Sequence, residues 1–339
     1  MRISAFISVV FFVSGCAGGS PEELERYRES RFLMGTTVHV DVCVEASNAG
    51  EIKLAYQQVW ERLEDISWRM NVFDERSDAA RINKAGLNAV AVGADTYEVL
   101  RKAVDYTHWT KGAFDITVRP LIQLWKHSEE SNAFPTPAQV IEAKKNVGSD
   151  KIRLLGDNRV QMLQEAVQID LGGIAGGYAV DEAARILREN GITNFFIDDG
   201  GDIYAGGYNC ERRPWRVGIG DPRDREKMFD VIVLSNASVT TSGNYEHYYK
   251  IQGKRLSHIL NPLTGYPQQE VVSATMIAPT AIEADALATA LCVLGTRLGT
   301  DFVNALPQGY ASVMIVREET GEIRPVMSRG YPEFRAQVK

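Results

Sequence analysis

Four valines, Val38, Val40, Val42 and Val44, alternate with other residues near the start of the chain, which predicts a strand over residues 31–45 with one buried face. The period then changes. Ile52, Ala55, Val59, Leu63 and Ile66 recur every three or four positions, so residues 50–69 read as an amphipathic helix. Helices are expected again over 95–110 and 137–146, and a hairpin over 151–155 and 160–163 around Gly156-Asp157-Asn158. An apolar run over 166–171 reads as a strand that ends in Gly172, Gly173, Gly176 and Gly177, with a helix following from 178 to 190. Further strands are expected at 194–197, 215–219, 231–234 and 271–277. Thr280-Ala281-Ile282-Glu283 has the form of a capping box, opening a helix that carries Asp285, and a last strand follows at 312–316. Strands and helices mix without regular βαβ alternation, so the fold class expected is α+β.

Two segments carry candidate chemistry. Glycines between a strand and a helix start let backbone amides approach an anion closely. The Gly172–Gly177 turn lacks the Gly-Lys-Ser/Thr of a P-loop, and its spacing is not that of a dinucleotide fingerprint. Asp285 and Thr289 stand four apart, so their oxygens share one helical face, with alanines leaving room beside it. Hard oxygens in one segment and phosphate-ready amides in another suggest metal-assisted phosphate chemistry.

These segments, D-L-G-G-I-A-G-G-Y-A-V-D from Asp170 and A-D-A-L-A-T-A-L from Ala284, resemble motifs of the ApbE family of FAD:protein FMN transferases. Other stretches follow in the family's order: F-L-M-G-T-T at Phe32, S-D-A-A-R-I-N ending at Asn83, G-A-F-D-I-T-V-R-P-L at Gly112, T-S-G-N-Y at Thr241 and H-I-L-N-P-L-T-G at His258. The resemblance covers about residues 31–317. It implies a mixed sheet with helices, related to the T-fold, in one catalytic domain. It also implies Mg²⁺-dependent transfer of FMN from FAD to a Thr or Ser hydroxyl of a redox flavoprotein subunit of Rnf or Nqr type, with release of AMP. On the same resemblance, Mg²⁺ is held by the Gly173 carbonyl, Asp285 and Thr289. Met34, Phe73, Ala113, Phe114, Asp115, Asp170 and His258 hold FAD, and His258 is the general base, its ordinary pKa lying near neutrality. The chain departs from the pattern at Gly176, where many members carry Lys; here the position offers only a backbone N–H. Two other readings use the same residues: a pyrophosphatase that splits FAD into FMN and AMP, and a periplasmic carrier that binds FAD without reacting.

Composition narrows the setting. A formal net charge of −7, with basic residues scattered, argues against nucleic-acid partners. Arg2, the apolar run over 3–13 and Val13-Ser14-Gly15-Cys16 resemble a lipoprotein signal. The run is too short to cross a bilayer as a helix. Residues 1–15 are therefore expected to be a signal peptide, Cys16 a lipidated N-terminus, 16–30 a tether and 31–339 the catalytic unit, on the periplasmic face of the inner membrane. Cys43, Cys210 and Cys292 show no metal spacing, and an oxidising compartment leaves one pair among them open.

Overall fold

The alternating valines form a strand, but the run does not start at residue 31. In the computed structural model, which describes residues 24–45, 49–243, 248–318 and 320–337, β1 (Leu24–Leu33) and β2 (Thr36–Glu45) are antiparallel. Met34 (φ 52) and Gly35 (φ 87) turn the chain between them, both in the left-handed region that tight hairpins require. The expected tether thus loses residues 24–30 to β1. Its charge is used by the fold: Arg26 and Arg28 each grip the buried Asp41 of β2 with two hydrogen bonds, at 2.7–3.1 Å. The expected signal peptide and Cys16 lie outside the described residues, as does His247.

The first half of the chain continues as α1 (Ala49–Met70), α2 (Asp78–Lys84), β3 (Val90–Ala91), α3 (Ala94–Trp109), α4 (Arg119–Glu130) and α5 (Pro137–Lys144). The expected hairpin is β4 (Ile152–Leu155) and β5 (Arg159–Met162), followed by α6 (Ala175–Glu189). Then come β6 (Phe195–Asp199), β7 (Asp202–Gly206), β8 (Trp215–Asp221), β9 (Asp224–Leu234), β10 (Ala237–Gly243), β11 (Tyr248–Ile251) and β12 (Lys254–Ser257). The chain closes with β13 (Val271–Ala278), α7 (Ala281–Asn304), β14 (Ala311–Arg317) and β15 (Ile323–Met327).

Eight strands make one antiparallel sheet in the order β1-β2-β6-β7-β10-β13-β14-β15. Period-2 alternation sends residues to two separate cores. Val38, Val40 and Val42 of β2 and Tyr204 of β7 join Ile52, Val59, Leu63 and Ile66 of α1 and Ala179, Val180 and Ala183 of α6. Ile203 and Ala205 of β7, with Val313 and Ile315 of β14, face the β8–β9 hairpin through Trp215, Val217 and Ile232. A helical layer, the sheet and a hairpin layer therefore stack, and β13 is buried along its whole length. The α+β expectation is met. Cys43, on the hairpin side of β2, is joined by a disulfide to Cys210 in the β7–β8 connection, while Cys292 is a buried free thiol.

Two local expectations fail for instructive reasons. Residues 166–171 join no sheet ladder. The Asn83 side chain instead takes the place of a neighbouring strand, donating to the Ile169 carbonyl (2.9 Å) and accepting from its amide (2.7 Å). The capping box at Thr280 does not form either, since the Thr280 hydroxyl donates to Glu283. The carboxylate of Asp181, from α6, accepts from the Ala281 and Ile282 amides (2.8 and 3.0 Å) and caps α7 across the helix interface. Although α7 is apolar enough to cross a bilayer, it packs its buried face on β10, β13 and β14 as the core helix of a folded domain.

Candidate functional site

Helix α6 begins at Ala175, three residues before the expected start, so Gly176 and Gly177 lie in its first turn. Gly177 is required there. A Cβ on it would overlap the backbone of Ala281 and Ile282, so only glycine lets the starts of α6 and α7 approach this closely. The approach places the Gly177 amide 3.2 Å from Asp285 Oδ2, and that amide donates to it. One turn along α7, Thr289 Oγ1 lies 3.3 Å from Ser242 Oγ at the end of β10, and it faces the Gly173 turn. The glycine segment and the Asp285/Thr289 face, distant in sequence, thus meet.

They meet in a cleft of about 380 Å³, within the range of small-molecule sites. Ala113, Phe114, Asp115, Asp170, Gly173, His258, Asp285 and Thr289 all line it. Two expected FAD contacts do not. Met34 sits in the β1–β2 turn, where its side chain packs on the helix-side core. Phe73 is 78% exposed, turned outward where its amide donates to Asn71 Oδ1, and the Arg119 guanidinium lies 5.5 Å over its ring.

The carboxylates differ in what they already do. Asp115 caps the 3-10 turn at Ile116–Val118, accepting from the Thr117 amide and hydroxyl, and its other oxygen accepts from Ser149 N. Burial raises its pKa, and those hydrogen bonds oppose the rise. Asp170 accepts from the Gly172 amide (3.1 Å) and from Arg119 (3.0 Å), which holds the glycine turn open toward the cleft. Asp285 is different. Burial drives its pKa well above the usual carboxylate range, the charge of Asp202 adds to this, the Gly177 amide opposes it and Asp199 raises it further. His258 follows β12 on a turn fixed by Ser257 Oγ, which accepts from Ile259 N (3.1 Å) and Gln268 Nε2 (3.4 Å).

Further lining residues of this cleft had no expected site role, although three of them, Thr241 to Gly243, open the T-S-G-N-Y motif. Gly200, Gly201 and Asp202 of the β6–β7 turn line it, as do Thr240, Thr241, Ser242 and Gly243 of β10. Asp198-Asp199-Gly200-Gly201-Asp202 between apolar runs carried the signal, because a Gly-Gly pair at positive φ makes a two-residue hairpin that sets its flanking acids side by side.

Fold and cleft together define the class first: a single-domain α+β protein whose polar groups gather in one cleft, where two helix starts meet the ends of the central strands β7 and β10. The sequence matches the ApbE family over residues 34–314, and the chain belongs to that family. It is 33% identical over 328 residues to the FAD:protein FMN transferase of Salmonella typhimurium, covering 93% of this chain and 92% of that one. It is 32% identical to the Haemophilus influenzae protein of the same name, over 94% of each. Among solved structures, the flavin transferase ApbE from Vibrio cholerae superimposes with a TM-score of 0.81 at 28% identity, over 92% of this chain and 99% of that one. The ApbE protein of Thermotoga maritima gives 0.82 at 33% identity, over 92% and 100%.

Proposed function

We propose that the chain transfers FMN from FAD to a Thr or Ser hydroxyl of a redox flavoprotein subunit, of Rnf or Nqr type, and releases AMP. The observation that supports this most is the meeting of Gly173, Asp285 and Thr289 in one cleft with His258. In the reaction the acceptor oxygen bonds to the FMN-side phosphorus, and the bond from that phosphorus to the oxygen shared with AMP breaks. His258 takes the hydroxyl proton as general base. Asp115 and Asp170, already committed to the protein, shape the wall that positions FAD rather than act on it.

The donor set fits Mg²⁺. It consists of hard oxygens, and a buried carboxylate whose ionised form burial disfavours is stabilised by a dication. The Gly173 carbonyl, Asp285 and Thr289 would hold the ion, which when bound neutralises phosphate charge. Among the described residues no three acidic, His or Cys side chains gather with metal spacing. That suits an ion completed by substrate phosphates rather than by a closed protein cage.

The test is to supply FAD, Mg²⁺ and an acceptor domain and to follow AMP together with acceptor mass. AMP should rise in step with acceptor gaining one FMN. AMP and free FMN formed equally without acceptor would make the protein a pyrophosphatase, and intact bound FAD would make it a carrier. His258→Ala should cut the transfer rate far more than it weakens FAD binding, because a base acts in the transition state.

We also place the protein at the periplasmic face of the inner membrane, anchored through a lipidated Cys16, on the strength of the lipobox-like sequence. Cys16→Ala should abolish lipid labelling and release the protein from membranes. A mature N-terminus mapped away from Cys16 would reject the anchor.

A further inference from the structure

Asp199 and Asp202 pair directly across the Gly200-Gly201 turn, so two acids stand side by side at the end of β6 and the start of β7. Like charges in that arrangement repel. Asp202 has a partial remedy, because the Thr240 hydroxyl donates to its Oδ1 at 2.7 Å. Asp199 has none. It is 5% exposed, and both of its carboxylate oxygens are buried without a hydrogen-bond partner. The other charges acting on the pair are also negative: Asp198 on both, Asp181 on Asp202, and Asp285, which interacts with both.

Both carboxylates crowd the α-carbon of Gly176. A Cβ on Gly176 would overlap Asp202 Oδ2 and stand 3.7 Å from Asp199 Oδ2. Asp202 Oδ2 thus occupies the place where a side chain at 176 would begin, against the first turn of α6 and beside the cleft that Asp202 lines. An unpartnered, buried carboxylate set beside a second one is costly unless a positive charge shares it.

We propose that Asp199 and Asp202 bind a monovalent cation beside Gly176, at a site separate from the Gly173/Asp285/Thr289 set. The dryness of Asp199 selects the charge type. Mg²⁺ gives up its water shell reluctantly and keeps several waters, for which the unexposed oxygens of Asp199 leave no room. A monovalent ion sheds water more readily and neutralises one charge of the pair, leaving the other shared with Thr240. Its consequence for the cleft is electrostatic: Asp202 no longer repels an anionic phosphate entering beside it. The inference stands on the hairpin geometry and does not depend on the transferase reading.

The test uses the purified full-length chain in choline chloride with EDTA at about pH 8, where both carboxylates tend to ionise. Sodium or potassium chloride replaces choline at constant ionic strength. The thermal midpoint should rise saturably by roughly 3–6 °C, and calorimetric titration of the same salt into the wild-type protein should give a saturable isotherm. Asp199→Asn should remove both responses, and so should Gly176→Ala, whose methyl group would displace the Asp202 carboxylate. Equal midpoints in choline, sodium and potassium with no isotherm would overturn the proposal and leave a proton shared by the pair. A response retained in Asp199→Asn would overturn the site. Loss of the monovalent isotherm on adding Mg²⁺ alone would overturn its separateness. If neither variant folds, the wild-type isotherm and its indifference to Mg²⁺ still decide.

Discussion

Asp285 accepts a hydrogen bond from one backbone amide in an interior that also holds Asp199 and Asp202. For all three, folding raises the pKa, that of Asp199 to about 7. A carboxyl whose folded pKa lies above its unfolded one is best accommodated when protonated. The stability it allows is complete at low pH and is lost as pH rises through the folded value. In choline buffer with EDTA the thermal midpoint should therefore fall between about pH 5 and about pH 8, and scanning calorimetry across that range checks it. Mg²⁺ competes with the Asp285 proton, so the concentration needed for half-activation should drop as pH rises, by up to about tenfold per unit. Asp285→Ala should retain the fold and lose on the order of a hundredfold in rate; near-normal activity would move the ion elsewhere. Individual residues were unevenly legible. Asp285 and Thr289 declared themselves by helical spacing, whereas His258 was separable from the other histidines only through its motif. Asp199 and Asp202 were overlooked because acids beside Gly-Gly read as a solvated turn, and the burial of Asp199 depends on α6 packing against β6 and β7.

Elements were legible where their period was long, as in α1, α3 and the β4–β5 hairpin. They were misread where a distant side chain closed the backbone hydrogen bonds. The supposed strand before the glycines is extended because Asn83 pairs with Ile169, 86 residues away in sequence. The turn inside the strand expected over 31–45 escaped notice because Met34 takes a positive φ that its residue type does not announce. Helix α7 is capped from α6, and that contact sets the position of the Asp285 face. Asp181→Ala leaves two amides without their carboxylate and should cost about 1–3 kcal/mol, read as a lower urea midpoint. Asp181→Asn, which keeps one acceptor oxygen, should lose less. Half-activation by Mg²⁺ should shift to higher concentration in Asp181→Ala, because the start of α7 carries both proposed side-chain ligands. An unchanged midpoint would show that packing alone holds the two helices together.

At the scale of the molecule, the layered plan follows from strands buried on both faces, which sequence alone presents as undifferentiated apolar runs. The Cys43–Cys210 link ties the second strand of the sheet to a connection 167 residues later. Closing so long a loop in the unfolded chain is worth about 3–5 kcal/mol. Replacing both cysteines with serine should lower the denaturant midpoint accordingly, and the wild-type protein treated with reductant should fall with it. Identical midpoints would mean that the reduced chain pays no such cost. The first strand also governs how far the enzyme can range. With the lipid on Cys16 as proposed and β1 starting at Leu24, eight residue steps join bilayer and fold. Fully stretched, they span at most about 28 Å. On the proposed anchor, so short a leash would confine the cleft to a thin shell above the headgroups, and the proposed acceptor would have to present its hydroxyl at that height. Lengthening the leash, rather than altering any residue of the cleft, would then be the way to admit acceptors that stand taller.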